Sequence, residues 1–273
     1  QKLSRLMFDG PEDELTLTQN AQPALMASSI AVLRVIESEG NKPIEDMAAM
    51  VAGHSLGEYS ALVAAGALPL AVTARLLRLR GEAMQAAVPV GVGAMAALLG
   101  LEIEDARAVA QEASATGVCA VANDNSTGQA VVSGEKAAVE KAIELAAARG
   151  ARKSILLPVS APFHCPLMQP AADAMAQALE GTTIAPPLLP VVANVTAAPE
   201  SAPATLRRLL VEQVTGTVRW RESVLAMKEH GIDTLAEIGT GKVLSGLVRR
   251  IDREMQGVSV ESPADVEAFL KTV

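Results

Sequence analysis

The chain has 273 residues, half of them hydrophobic, and a net charge of −8, enough for a sizeable core in one large domain or a domain carrying an insert. Aromatics at 2% argue against a base-stacking platform, and the acidic balance argues against a nucleic-acid partner. The longest apolar run, 61–74, is broken by Pro69 and is too short to cross a bilayer; with no signal peptide pattern, and with Cys119 and Cys165 outside any C-x-x-C, a cytoplasmic protein with buried reduced thiols is expected.

Residues 1–20 are polar and mixed. The spacing of Ala24, Leu25, Ser28, Ile30, Leu33 and Ile36 predicts a helix over 23–39, with Gly40 suited to its C-cap. Residues 47–53 are apolar and short, as a buried strand is, and 58–65 are strong helix formers stopped by Gly66. Between them lies Gly53-His54-Ser55-Leu56-Gly57, a G-x-S-x-G. Strand, sharp turn and helix form the setting of a nucleophile elbow, and the glycines allow the turn to be tight. A further helix over 71–87 lies between Pro69 and Pro89 and carries Arg75, Arg78 and Arg80.

The pattern then changes. A strand over 94–99, a helix over 103–115, strands at 118–122 and 130–132 joined by the turn-rich 123–128, a helix over 135–149 and a strand over 154–159 follow in order. That β-α-β-β-α-β order predicts a ferredoxin-like unit, 91–159, inserted in a larger domain made of 1–90 and 160–273. The larger domain resumes with a loop at 160–164, helices at 166–179, 204–213, 221–230, 243–251 and 264–270, and strands at 189–192, 235–238 and 258–260. Alternating strands and helices predict an α/β fold with a parallel sheet covered on both faces.

An elbow exposes the Ser55 hydroxyl and aims the Leu56 amide, at a helix N-terminus, where an oxyanion would form. A serine hydroxyl is feeble at neutral pH and needs a base. Of three histidines, His54 points elsewhere in an elbow, and His230, before Gly231, suits a helix C-terminus. His164 remains, on a proline-bounded loop, as the base or else as a structural histidine. By periodicity alone Arg80 reads as a surface residue of an amphipathic helix. Asn123, Asn125 and Gln129 either line a cleft or serve turn chemistry. No Cys/His/Asp cluster has ligand spacing, so neither a metal nor another cofactor is expected.

Six stretches together carry a resemblance: G-H-S-L-G-E-Y-S-A-L (53–62), L-R-G-E-A-M-Q (79–85), G-x-G-A-M-A-A (91–97), N-x-N-S-x-G-Q-x-V-V-S-G (123–134), S-x-P-F-H-C-P-L-M (160–168) and E-I-G-x-G-K-V-L (237–244). The chain resembles the malonyl-coenzyme A:acyl carrier protein transacylases of bacterial fatty acid synthesis. The resemblance implies an α/β-hydrolase-like large domain with an inserted ferredoxin-like small domain. It implies ping-pong transfer from malonyl-coenzyme A to the thiol of acyl carrier protein through an ester on Ser55, with His164 as base and then acid. Arg80 would hold the malonyl carboxylate, the Gln213 carbonyl would orient the imidazole, Leu56 would donate to the oxyanion, and Phe163 resembles the malonyl-selective form of its motif. The acidic carrier suggests a basic rim, with Arg152, Lys153, Lys242, Arg249 and Arg250 as candidates; solvated helix faces explain them equally well. The family opens with a strand and a G-Q-G-x-Q loop that gives a second oxyanion donor. Nothing here matches that loop, so an N-terminally shortened sequence is expected. Two rivals stay open. A serine esterase or thioesterase would place its histidine near the C-terminus, where the last 43 residues, 231–273, hold none. The other is a non-catalytic carrier-protein-binding fragment.

Overall fold

Apolar positions recur along this chain with helical and strand periods in turn, and in the computed structural model, which describes residues 2–273, the elements pack into two units, each of helices and strands. The first runs α1 (Leu3–Asp9), α2 (Glu12–Leu15), α3 (Thr18–Gly40), β1 (Val51–Ala52), α4 (Gly57–Ala64) and α5 (Leu70–Ala86). The inserted run is β2 (Gly93–Leu99), α6 (Ile103–Ala113), β3 (Cys119–Ser126), β4 (Gln129–Glu135), α7 (Lys136–Ala148) and β5 (Lys153–Leu156). The chain closes with α8 (Gln169–Glu180), β6 (Val191–Ala193), β7 (Ala198–Glu200), α9 (Pro203–Thr215), α10 (Trp220–Glu229), β8 (Thr234–Ile238), α11 (Val243–Ile251), β9 (Gln256–Val260) and α12 (Pro263–Phe269).

The inserted strands form one antiparallel sheet, ordered β3-β4-β2-β5, which is the ferredoxin-like arrangement. Its strand β2, in the middle of the sheet, reads as an unbroken apolar run because both faces are covered there. Ala96, Leu98 and Val132 pack under α6 and α7, while Met95, Ala97 and Val131 face the other way, toward Phe163. In the larger unit β1 pairs parallel with β6, and β8 parallel with β9. Its main core joins Ile30 and Leu33 of α3 to Leu62 of α4, Leu77 and Met84 of α5, Met175 of α8 and Leu210 of α9.

Several expectations are corrected. Residues 3–9, 12–15 and 18–20 are helical, and α3 starts ahead of Pro23, with Gln22 and Met26 buried on its first turns. The strand expected over 47–53 shrinks to Val51–Ala52, the pair that finds Val191 and Val192. The parallel pairs belong to two sheets, not one, and β7 adds an antiparallel edge to the first. The stretch expected to turn at 123–128 is mostly strand. β3 runs to Ser126 because Asp124 N–H donates to Val218 O (3.0 Å) and Arg221 forks onto the Asp124 carboxylate (2.8–3.1 Å). Tertiary partners there outweigh turn propensity.

One close approach sets up the site. A Cβ on Gly81 would lie 2.4 Å from Gln19 Cα, so only glycine lets α5 back this closely onto α3. That contact brings Gln22 of α3 to Arg80 of α5.

Candidate active site

The elbow is built as its sequence pattern requires. Ser55 sits at φ +53°, a left-handed conformation costly for a residue with a side chain, and neighbouring groups hold it there. Asn194, which follows β6, accepts from Ser55 N–H (2.7 Å) and donates through Nδ2 to Gly53 O (2.7 Å), clasping the turn from both sides. A Cβ at Gly53 would meet the Gly57 carbonyl group at 2.0 Å, whereas one at Gly57 meets nothing within 4 Å. The first glycine is therefore required by the fold and the second is not. Gly53→Ala is expected to cost at least about 1–3 kcal/mol, the usual penalty of overpacking, and Gly57→Ala to stay within about 0.5 kcal/mol. Urea unfolding of the two variants checks this, and equal midpoints would contradict it. The N–H groups flanking Leu56 go to Asn194 Oδ1 and to His54 O (2.9 Å), while no described residue accepts from Leu56 N–H.

His164 reaches Ser55 across 109 positions of sequence: Nε2 lies 2.7 Å from Oγ. Its Nδ1 lies 2.9 Å from the Gln213 backbone carbonyl. A carbonyl can only accept, so Nδ1 carries the proton and Nε2 presents its lone pair to the serine hydroxyl. This is the geometry of a nucleophile, its base and a group that orients the base. His164 also has a left-handed backbone, φ +57°, and is buried. Burial first, and the Arg80 charge second, pull the imidazole down to about 3.

Arg80 is 1% exposed. Nη1 donates to Gln22 Oε1 (2.7 Å), and Nη2 to Gln213 Oε1 (2.9 Å) and Ser55 Oγ (3.1 Å), while Nε is buried with no hydrogen-bond partner among the described residues. The guanidinium is thus fixed by neutral oxygens beside the nucleophile, and no carboxylate of the described residues pairs with it. A buried cation held this way is suited to a carboxylate brought by a ligand. Burial lowers its affinity for the proton, with the Tyr59 and Glu58 charges opposing.

Glu58, Asn194 and Gln22 take no part in the sequence reading, and neither does the side chain of Gln213. Glu58 is fully buried, and Oε2 accepts from Asn194 N–H (2.9 Å) and Gln213 Nε2 (2.9 Å). Burial pushes its carboxyl up to about 7. The available signal was a glutamate on the first turn of a helix that is otherwise apolar, in Gly57–Ala64.

The remaining residues lie as follows. Asn125 Oδ1 accepts from His54 Nε2 (2.9 Å), which turns that imidazole away from Ser55 and against Trp220. Gln129 meets Arg250 through its Oε1 (3.4 Å) at the surface. Phe163 bridges the main core and the sheet of the inserted unit. His230 ends α10 and bonds Ala226 O through Nδ1 (2.8 Å), the end-of-helix role expected. Both cysteines are free and buried. Among the described residues no helix is long and apolar enough to cross a membrane.

Comparison with known proteins agrees with this geometry. Residues 1–264 match the acyl transferase domain family. The malonyl CoA-acyl carrier protein transacylase of Bacillus subtilis is 44% identical over 273 residues, covering 100% of this chain and 84% of that protein. The solved acyl-carrier-protein S-malonyltransferase of Bartonella henselae superposes with a TM-score of 0.96 at 54% identity, covering 100% of this chain and 86% of that one. A malonyl-transacylase solved in complex with its type II PKS acyl-carrier protein gives a TM-score of 0.95 at 42% identity, covering 99% and 86%.

Proposed function

The chain belongs to the malonyl CoA-acyl carrier protein transacylase family and transfers malonyl groups between coenzyme A and acyl carrier protein, and from that premise we propose that the group travels on Ser55. The observation that carries this is the Ser55–His164–Gln213 chain of hydrogen bonds set against the uncompensated Arg80. Ser55 Oγ attacks the thioester carbonyl as His164 Nε2 takes the hydroxyl proton. Leu56 N–H, at the start of α4, stabilises the oxyanion. The C–S bond breaks, the departing thiolate takes the proton from His164, and malonyl remains as an ester on Ser55. The carrier's phosphopantetheine thiol then gives its proton to His164 and attacks the ester, and Ser55 regains the proton as it leaves.

Arg80 meets the malonyl carboxylate with its fork, and Phe163, beside His164, shapes the pocket. Asn125 and Gln129 line the cleft between the units, Asn125 acting also through His54. The domain boundaries that suit this reading are 1–90 with 160–273 for the large domain and 91–159 for the small one, and the cytoplasm is the site of action. The basic residues Arg152, Lys153, Lys242, Arg249 and Arg250 are candidates for the acidic carrier. A plain esterase has no use for a buried guanidinium beside its nucleophile, which disfavours the hydrolase alternative.

The test is intact-mass spectrometry after mixing with malonyl-coenzyme A, followed by peptide mapping. One malonyl adduct per chain is expected, on Ser55, discharged by a pantetheine thiol. An adduct on Cys165, or none, would overturn the assignment.

A further inference from the structure

We propose that Glu58 is a positioning residue for acyl-group choice: by accepting from the side-chain amide of Gln213 it turns that amide's oxygen toward Arg80 and so aims the guanidinium. The inference rests on the reading of Arg80 as the group that meets the malonyl carboxylate.

A primary amide has one donating end and one accepting end. The donating end of Gln213, Nε2, meets three acceptors: Glu58 Oε2 (2.9 Å), Ser55 O (2.9 Å) and Asn194 Oδ1 (3.3 Å). Its accepting end, Oε1, receives Arg80 Nη2 at 2.9 Å. Flipping the amide would set an oxygen against those three acceptors and an NH2 against the N–H of the guanidinium. Of the three, Glu58 is the one whose side chain bonds neither Gly53 nor Ser55; its other bond, from Asn194 N–H, anchors the residue that clasps the elbow. Glu58 makes no hydrogen bond to the reacting atoms; its Oε2 takes Gln213 Nε2 and Asn194 N–H, and its Oε1 is buried with no hydrogen-bond partner among the described residues. The far side of the guanidinium is held by Gln22 Oε1 (2.7 Å). Both groups that orient Arg80 are neutral, so the cation is directed without being neutralised and stays available to an anionic acyl group. The carboxyl of Glu58 sits one step further back, where its charge forms no ion pair with Arg80. What the arrangement asks of position 58 is an acceptor at Oε2, not a charge.

The test is competition between malonyl- and acetyl-coenzyme A, with acyl carrier protein as acceptor, in three variants of the full chain. Glu58→Met removes the acceptor at nearly constant volume. It is expected to lower the malonyl-to-acetyl ratio of kcat/KM by about 3- to 10-fold, the worth of one ordinary hydrogen bond, chiefly through KM for malonyl-coenzyme A. Glu58→Gln keeps an oxygen at Oε2 and should hold the ratio within about two-fold of wild type. Glu58→Asp draws the carboxyl back by one methylene and should fall with Glu58→Met, which keeps the test decisive if the methionine variant does not fold. A wild-type ratio in the Met or Asp variant, equal losses on both substrates, or a Gln variant as impaired as the Met variant would overturn the proposal. A wild type that does not discriminate at all would sink the reading of Arg80, and this inference with it. A discriminating wild type with unaffected variants sinks this inference alone.

Discussion

His164→Ala is expected to slow both half-reactions by about 10²–10⁴-fold, the contribution of a well-placed general acid–base. Among the described residues the imidazole, at 2.7 Å from Ser55 Oγ, is the base positioned to take that proton, and the same nitrogen must return it to the leaving thiolate. Loss of acylation alone, with deacylation intact, would contradict a shared base. His54→Ala should be much less damaging, because that ring is turned to Asn125 and Trp220. The pH profile adds a second readout. His164 titrates at about 3 in the folded chain, so its base form is present throughout the neutral and mildly acidic range. kcat/KM for acylation should therefore show no limb near 6.5, where an ordinary imidazole protonates. A malonyl carboxylate on Arg80 offsets the second cause of that depression, which helps His164 accept the proton once substrate is bound. The same shift has a cost in stability. The unfolded chain protonates His164 near 6.5 and the folded chain only near 3, so acid weakens the fold across that window. Glu58, raised to about 7, acts in the opposite sense between about 4.5 and 7.

Arg80→Ala is expected to lower kcat/KM for malonyl-coenzyme A by about 10- to 150-fold, from the roughly 1.5–3 kcal/mol of a hydrogen bond to a charged group. Acetyl transfer should not fall in parallel, since an acetyl group has no carboxylate to hold. It can rise, because a buried guanidinium facing a neutral acyl group is uncompensated. Arg80 Nη2 also donates to Ser55 Oγ, so the ratio of the two substrates, not either rate alone, is the quantity to compare. Lysine should not restore the ratio. It supplies the charge but not the planar fork that Gln22 and Gln213 orient. Competition between the two thioesters in wild type and variant measures this, and equal losses on both would show that Arg80 serves the fold and not the substrate.

What the sequence determined by itself is what local chemistry encodes. The elbow was legible because strand, turn and helix are contiguous, and because Gly53 is required within that one stretch by the backbone of Gly57. The βαββαβ order of the insert was legible because each element carries its own period. With three histidines in the chain, His164 could be reached by elimination, and Arg80 by its motif. The tertiary structure decided what depends on partners far away in the chain. The stretch 47–53 looks equally strand-like throughout, but only Val51 and Ala52 find an edge, at Val191 and Val192. Asn123 to Ser126 carry turn-forming side chains, and Val218 and Arg221 hold them extended. The orienting group on His164 is a main-chain carbonyl, which no side-chain pattern announces; that Gln213 fills this place came from the family resemblance and not from the spacing of residues. Glu58, Asn194 and Gln213 meet across 155, 136 and 19 positions of sequence, and the hydrogen bonds among them satisfy Glu58 Oε2 and the Gln213 amide in the core. A buried polar network has no local signature, since its members are tolerable in the core only once the fold has brought them together.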